Sequence, residues 1–182
     1  MLAVVFWHAR FAGTDRDDYR EALFAFHDVL NGNKPAGLRY SCTFSVPAVP
    51  WFDPPCEAHE DWYVLGSFSG IDALEDAVLN RDDMEPHRFL MRNTASASGA
   101  VLALRSGQAR VFDHVEAYWI AGAVRRMTLD FETLQATRAI FWKRSLALGP
   151  KEQLVLSTCP IPAIAGDGVT HITRELLWRP AK

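Results

Sequence analysis

The chain has 182 residues and a mass of 20.4 kDa, room for one ordinary domain or two small ones sharing a core. Hydrophobic residues make up 49% and charged residues 23%, a globular balance that argues against a disordered chain. With a formal net charge of −3 and no apolar run near the roughly 18 residues of a membrane-spanning helix, neither nucleic acid nor membrane is an expected partner.

Leu2 to Phe11 reads as a strand. Its odd positions, Ala3, Val5, Trp7, Ala9 and Phe11, are apolar, whereas the even face turns polar at His8 and Arg10. No basic segment precedes this stretch, so it does not read as a signal peptide. Ala12-Gly13-Thr14 ends the strand, and Thr14 or Asp15 can cap the following helix. In that helix Tyr19, Ala22, Leu23, Phe26, Val29 and Leu30 recur at helical spacing, while Arg16, Arg20, Glu21, His27 and Asp28 fall elsewhere. Asn31-Gly32-Asn33 stops it.

A second strand runs from about Gly37 to Val46. Leu38, Tyr40, Cys42, Phe44 and Val46 take one face, and Arg39, Ser41, Thr43 and Ser45 the other. Pro47, Pro50, Pro54 and Pro55 predict a loop reaching about Glu60. A third strand follows from Trp62 to Phe68, then a helix from Ser69 or Asp72 with Ile71, Leu74 and Val78 on one side. A short helical piece near Pro86 to Arg92, a small-residue loop from Thr94 to Gly99 and a strand from Ala100 to Leu104 complete the series.

Residues 1–107 therefore read β-α-β-β-α-β, a ferredoxin-like unit with both helices on one sheet face, whose other face must meet a further layer. Residues 108–182 begin the order again as a partial second unit packed on the first: a strand from Val111 to Ile120, a helix from Thr128 to Leu148, and strands from Gln153 to Cys159 and His171 to Trp178. Two local echoes support a repeat, Phe6-Trp7-His8-Ala9 with Tyr118-Trp119-Ile120-Ala121, and residues 38–47 with 154–162. On this reading the second copy lacks its last helix and strand. The fold class is α+β, with the two units arranged as a barrel.

Asp61-Trp62-Tyr63-Val64-Leu65-Gly66-Ser67-Phe68, leading into Ser69-Gly70-Ile71-Asp72-Ala73-Leu74, resembles the dimeric α+β barrel superfamily and its antibiotic-biosynthesis-monooxygenase-like members. His87 and the strand from Ser98 to Arg105 are similar in placement. The resemblance covers about the first 107 residues. It implies two ferredoxin-like units paired sheet to sheet, in a homodimer or within one tandem chain. The superfamily includes cofactor-free oxygenases, haem-degrading enzymes and isomerases. No position here matches one of its catalytic motifs, so no role is carried over.

If the polar strand faces line a barrel cavity, His8, Arg10, Arg39, Ser41, Thr43 and Ser45 converge there among aromatics, as a small-molecule site requires. His8 is then the candidate catalytic base, since imidazole titrates near neutral pH. Arg10 and Arg39 are candidates to hold a substrate anion, with Ser41, Thr43 and His87 as further substrate contacts. The opposed reading makes the same face a hydrated interface. His114, Glu116 and Tyr118 could form a proton relay or a plain polar strand face, and His171 with Glu175 invites the same two readings. Cys56, Glu57, His59, Glu60 and Asp61 concentrate metal-ligand types in one stretch, but no second cluster at zinc spacing exists, so a solvated loop is expected and no metal. Six tryptophans could build an aromatic pocket or fill the space between layers. Three cysteines without tight spacing fit a reducing cytoplasm, and Cys42 reads as a buried inert thiol.

Two functions stand at this point. One is a small-molecule-binding protein, a cofactor-independent oxygenase or isomerase acting on an apolar or aromatic substrate. The other is a non-catalytic module for self-association or protein binding. A cavity holding His8 or Arg39 supports the first, and a barrel filled by side chains the second.

Overall fold

The computed structural model describes residues 1–121, 137–146, 153–164 and 166–181. Its elements are β1 (Leu2–Arg10), α1 (Arg16–Gly32), β2 (Leu38–Val49), β3 (Cys56–Leu65), α2 (Ser69–Asn80), α3 (Glu85–Asn93), β4 (Thr94–Ser106), β5 (Glu116–Ile120), β6 (Ile140–Leu146), β7 (Gln153–Ser157), β8 (Val169–Thr173) and β9 (Glu175–Trp178). Asp15 caps α1 by accepting from the amides of Asp17 and Asp18.

Several boundaries correct the sequence reading. β3 begins at Cys56, so the ligand-rich stretch up to Asp61 is strand, not a solvated loop. Thr94–Gly99 is also strand, because its small residues pair along β1 with Phe6 opposite Gly99 and His8 opposite Ala97. A Cβ at Gly99 would stand 3.0 Å from the Phe6 ring, so the glycine makes room for that aromatic. The helix predicted from Thr128 to Leu148 is overturned where it can be seen, since Ile140–Leu146 is a strand and residues 128–136 and 147–148 lie outside the described residues. Its alternation decides the matter: Ile140 and Trp142 are buried with the barrel core, and Phe141 packs with another cluster. Val111–Asp113 forms a short 3-10 turn ahead of β5. The predicted last strand is divided at Arg174 into β8 and β9.

The described strands form one nine-stranded antiparallel sheet in the order β8-β5-β7-β6-β4-β1-β3-β2-β9. Four strands in the order β4-β1-β3-β2 are thus followed by an equivalent four in the order β8-β5-β7-β6. β7 therefore takes the place of β3, whereas the echo between residues 38–47 and 154–162 matched it to β2. A last strand is present as well, in β8 and β9. β8 pairs with β5 at one margin of the sheet, and β9, reached through Arg174 alone, pairs with β2 at the other. The chain itself crosses the seam and leaves the barrel nearly closed.

The inside and outside of this barrel have separate cores. Inside, Ala3, Val5, Trp7, Cys42, Phe44, Val46, Trp62 and Val64 meet Trp119, Ile140, Trp142, Leu154 and Leu156 of the second set of strands. Outside, Leu2, Val4, Leu38, Tyr63 and Leu65 meet Tyr19, Leu23, Phe26 and Leu30 of α1, together with Leu74, Met84 and Leu90. The second half has a smaller cluster of Tyr118, Ile120, Ala139, Val155, Ile161 and Ile164.

Candidate functional site

Among the described residues, large side chains pack the barrel interior. Trp7 and Trp119 meet edge to face at 5.0 Å, Trp51 packs on both at 4.8 and 5.5 Å, and Trp62 lies 5.6 Å from Trp142. Two charged residues share this apolar space. Glu60 accepts from the indole nitrogens of Trp7 (2.8 Å) and Trp62 (2.7 Å) and from Arg174 Nη1 (2.5 Å). Arg174 also donates through Nη2 to the His114 carbonyl and lies 4.0 Å over the Phe44 ring.

The polar strand faces thus do not line a barrel cavity. They turn outward, because the alternate, apolar faces of β1 and β2 supply the barrel core. Outward is not into solvent, since α1 lies over part of this face and encloses a second polar cluster. His8 on β1 is buried, with Nδ1 2.7 Å from the Tyr19 hydroxyl and Nε2 3.1 Å from Asp61 Oδ2. Asp61 also accepts from the Tyr63 hydroxyl at 3.1 Å, and its other oxygen lies 3.4 Å from His27 Nε2. His27 Nδ1 lies 2.6 Å from Ser41 Oγ, which Asn31 Nδ2 reaches at 2.6 Å. Trp178 of β9 stacks on the far side of His27, with ring centres 5.2 Å apart. His59 is half-buried and stacks on Tyr19 at 5.5 Å, with its ring 5.4 Å from His8.

The electrostatics of the cluster follow from burial and from its one carboxylate. Burial alone would raise Asp61, but His8 and His27 on either side outweigh it and hold the carboxyl well below the usual range. Burial pushes the Tyr19 hydroxyl up to about 12. It raises Tyr63 as well, and the Asp61 charge adds to that shift. His59 is lowered to about 4, by burial first and then by the neighbouring His8. His87 is lowered too, chiefly by burial.

The sequence-derived candidates are therefore divided. His8 and Ser41 lie in the cluster, and Thr43 is buried on the same outer face of β2 with no hydrogen-bond partner on its hydroxyl. His87 is half-buried on α3, its ring 5.2 Å from Phe26. Arg10 is used elsewhere, bracing the turn before α1 by donating to the carbonyls of Phe11 (3.2 Å) and Thr14 (2.7 Å). Arg39 is exposed at the start of β2. The proposed relay of His114, Glu116 and Tyr118 does not assemble. His114 faces the carbonyls of Arg110 and Arg138, Glu116 faces His171 and Thr173, and Tyr118 accepts from the Ile161 amide.

Tyr19, His27 and Tyr63 are not among the sequence-derived candidates, and Asp61 is there only as a metal-ligand type in an expected loop. His27 stands four residues after Leu23, and so on the face that α1 buries. The alternation of β3, extended back from Trp62, places Glu60 inward and Asp61 outward. Among the described residues, no group of histidine, cysteine and carboxylate side chains is arranged to hold a metal, and no helix is long and apolar enough to cross a membrane.

No protein-family model matches the sequence, and no curated protein matches it either. Solved structures do match. An anthrone oxidase-like protein superposes with a TM-score of 0.55 at 7% identity, covering 98% of this chain and 92% of that one. A proposed monooxygenase from Lactobacillus acidophilus superposes with a TM-score of 0.52 at 10% identity, covering 98% and 95%. At such identities the likeness concerns the path of the chain and not its chemistry. Two strand sets of the same order, closed into one barrel and matched over nearly the whole of both structures, give this chain the dimeric α+β barrel fold, here built by a single polypeptide.

Proposed function

We propose that the protein binds a small apolar or aromatic molecule beside His8, under α1, and exchanges a proton with it. The chemistry is oxygenase-like and uses no cofactor. The observation that carries this reading is the chain Asp61–His8–Tyr19, in which a buried carboxylate orients an imidazole whose other nitrogen meets a hydroxyl. His8 keeps 10% of its side-chain surface exposed, so its ring is not wholly sealed from solvent. The structural neighbour named for anthrone oxidation suggests the substrate class, an aromatic molecule with an acidic C–H or O–H. Ionised, such a molecule is electron-rich enough to reduce dioxygen. A methylene then becomes a carbonyl, one oxygen atom enters the product and the other leaves as water. The chain's own part is to exchange the proton at His8, whose ring Asp61 and Tyr19 hold in place. The anion-holding role first given to Arg10 and Arg39 falls to His8 itself, as an imidazolium held by Asp61.

The test joins binding to turnover. Thermal shifts are measured with aromatic acids, quinones and haem, and oxygen uptake with anthrone, for the wild type and His8→Gln. A ligand that raises the wild-type melting temperature and loses its effect in His8→Gln supports the reading. Binding indifferent to the substitution, or no ligand and no oxygen uptake, rejects it.

The filled barrel favours the second reading, non-catalytic self-association. Phe6, Phe11 and Met91 stand 44%, 49% and 65% exposed, large apolar side chains that a second copy could cover. Sedimentation over a hundredfold concentration range decides it: a dimer lost in Phe11→Ser/Met91→Ser supports this reading, and a monomer throughout rejects it.

A further inference from the structure

The proton inventory around His8 goes beyond the assignment of that residue. Thr94 Oγ1 donates to the Leu90 carbonyl at 2.8 Å, and a hydroxyl has one proton to give. The Tyr19 hydroxyl, 2.7 Å from Thr94 Oγ1, must then be the donor in that contact. Its proton spent on Thr94, Tyr19 can only accept from His8 Nδ1, which therefore carries hydrogen. On the other side of the ring, Nε2 faces Asp61 Oδ2, which already accepts from Tyr63. An ionised carboxylate offers no proton, so Nε2 carries hydrogen too.

We infer that His8 rests as an imidazolium paired with Asp61, and that Tyr19 and Thr94 are positioning residues that keep it so by directing their hydroxyls away from it. The groups around the His8–Asp61 pair are consistent with one positive charge on His8. β3 contributes Asp61 and His59, α1 contributes Tyr19 and His27, α3 contributes His87, and β4 contributes Thr94. Asp61 is the one carboxylate among them. His59 and His87 are both shifted toward the neutral form, chiefly by burial. In the alternative arrangement the whole chain reverses: Thr94 donates to Tyr19, Tyr19 donates to His8, and the Leu90 carbonyl loses its side-chain donor. A charged His8 has a proton to give before it can take one, so in the proposed reaction it meets a substrate that is already an anion. The inference rests on the placement of the site at His8, but its test needs no substrate.

The test is nitrogen NMR of the histidine rings in the full-length protein at neutral pH. In the wild type both His8 nitrogens are expected to be protonated. In Thr94→Val, which does not touch His8, Tyr19 loses its acceptor and turns to Nδ1, so the Nδ1–H signal is lost and the neutral Nε2–H form replaces it. Thr94→Ser restores the wild-type spectrum. A bare Nδ1 in the wild type overturns the resting charge, and a doubly protonated His8 in Thr94→Val overturns the role of Thr94. Should Thr94→Val fail to fold, Tyr19→Phe serves, with loss of Nδ1–H as the supporting result and its retention as the refuting one. None of these outcomes depends on whether a ligand is found, so failure here is distinct from failure of the functional reading.

Discussion

Two adjacent carboxylates on β3 take opposite roles because successive side chains leave a strand on opposite faces. Glu60 enters the barrel and meets Arg174, while Asp61 leaves it and meets His8 and His27. The outer cluster gives stability a definite dependence on pH. Asp61 titrates lower in the folded chain than in the unfolded one, so its contribution is in full above about pH 4 and is lost as the pH falls below that. His59 is lowered from 6.5 to about 4, so between those values the unfolded chain binds the proton first and stability falls with pH. Between about pH 7 and about pH 5 urea midpoints should thus fall more steeply in the wild type than in His59→Gln; His87, lowered as well, adds to the fall in both, and Asp61 does not titrate there. Parallel profiles of the two proteins would refute the burial of a neutral imidazole at His59. The cysteines allow a second check at this scale. Burial pushes the Cys42 thiol up, whereas Cys159 is exposed. Iodoacetamide at about pH 8 should label Cys159 in the native protein and Cys42 only after unfolding. Native labelling of Cys42 would show that the barrel opens.

Among the elements, those with an unbroken period were legible in the sequence. α1 shows its apolar stripe through Tyr19, Leu23, Phe26 and Leu30, and β2 alternates from Tyr40 to Val46, whereas a register shift after Leu38 turns that residue to the outer layer and the strand runs on to Val49. The missed features carry polar residues in buried places. His27 looked like part of a wet face because it is polar, though its spacing from Leu23 put it on the buried one. Cys56–Asp61 looked like a loop because prolines precede it and its residues are charged, yet pairing with β1 and β2 makes it strand. Periodicity reports which face a residue takes, but not which of two apolar layers that face meets, and this is why the polar faces were assigned to a barrel cavity. One glycine shows how closely the elements of the outer layer approach each other. Gly37 has φ +84°, and a Cβ there would stand 3.0 Å from the Cα of Gly70 in α2. Gly37→Ala should cost about 1–2 kcal/mol for the left-handed backbone, with a further cost from the contact, measured by urea denaturation. A loss of no more than that backbone cost would mean that α2 is free to move away, and a change within about 0.5 kcal/mol would mean that Gly37 does not hold the left-handed backbone.

On the scale of the whole molecule, closure depends on a short stretch of chain. β9 meets β2 through only Thr43–Trp178, Phe44–Leu176 and Ser45–Glu175, a ladder too short and irregular to hold the seam unaided. Arg174, immediately before it, is only 2% exposed and reaches β3 through Glu60 and the segment before β5 through the His114 carbonyl. The guanidinium thus ties both strand sets across the seam, and four residues later Trp178 covers His27. Barrel closure and the outer cluster are joined by the same strap. A buried ion pair is costly to form and costlier to break on one side, because the remaining charge stays without its partner. Arg174→Met alone should therefore destabilise the protein by about 3–5 kcal/mol, and so should Glu60→Leu. The double variant should recover much of that loss, since neither charge is then left in the barrel. A thermodynamic cycle of the four proteins by urea denaturation measures the coupling. Additive losses would mean that Glu60 and Arg174 act separately, through the tryptophan indoles and the His114 carbonyl. A strong coupling, together with faster amide exchange in β9 of each single variant, would identify the pair as the pin that holds the strap across the barrel.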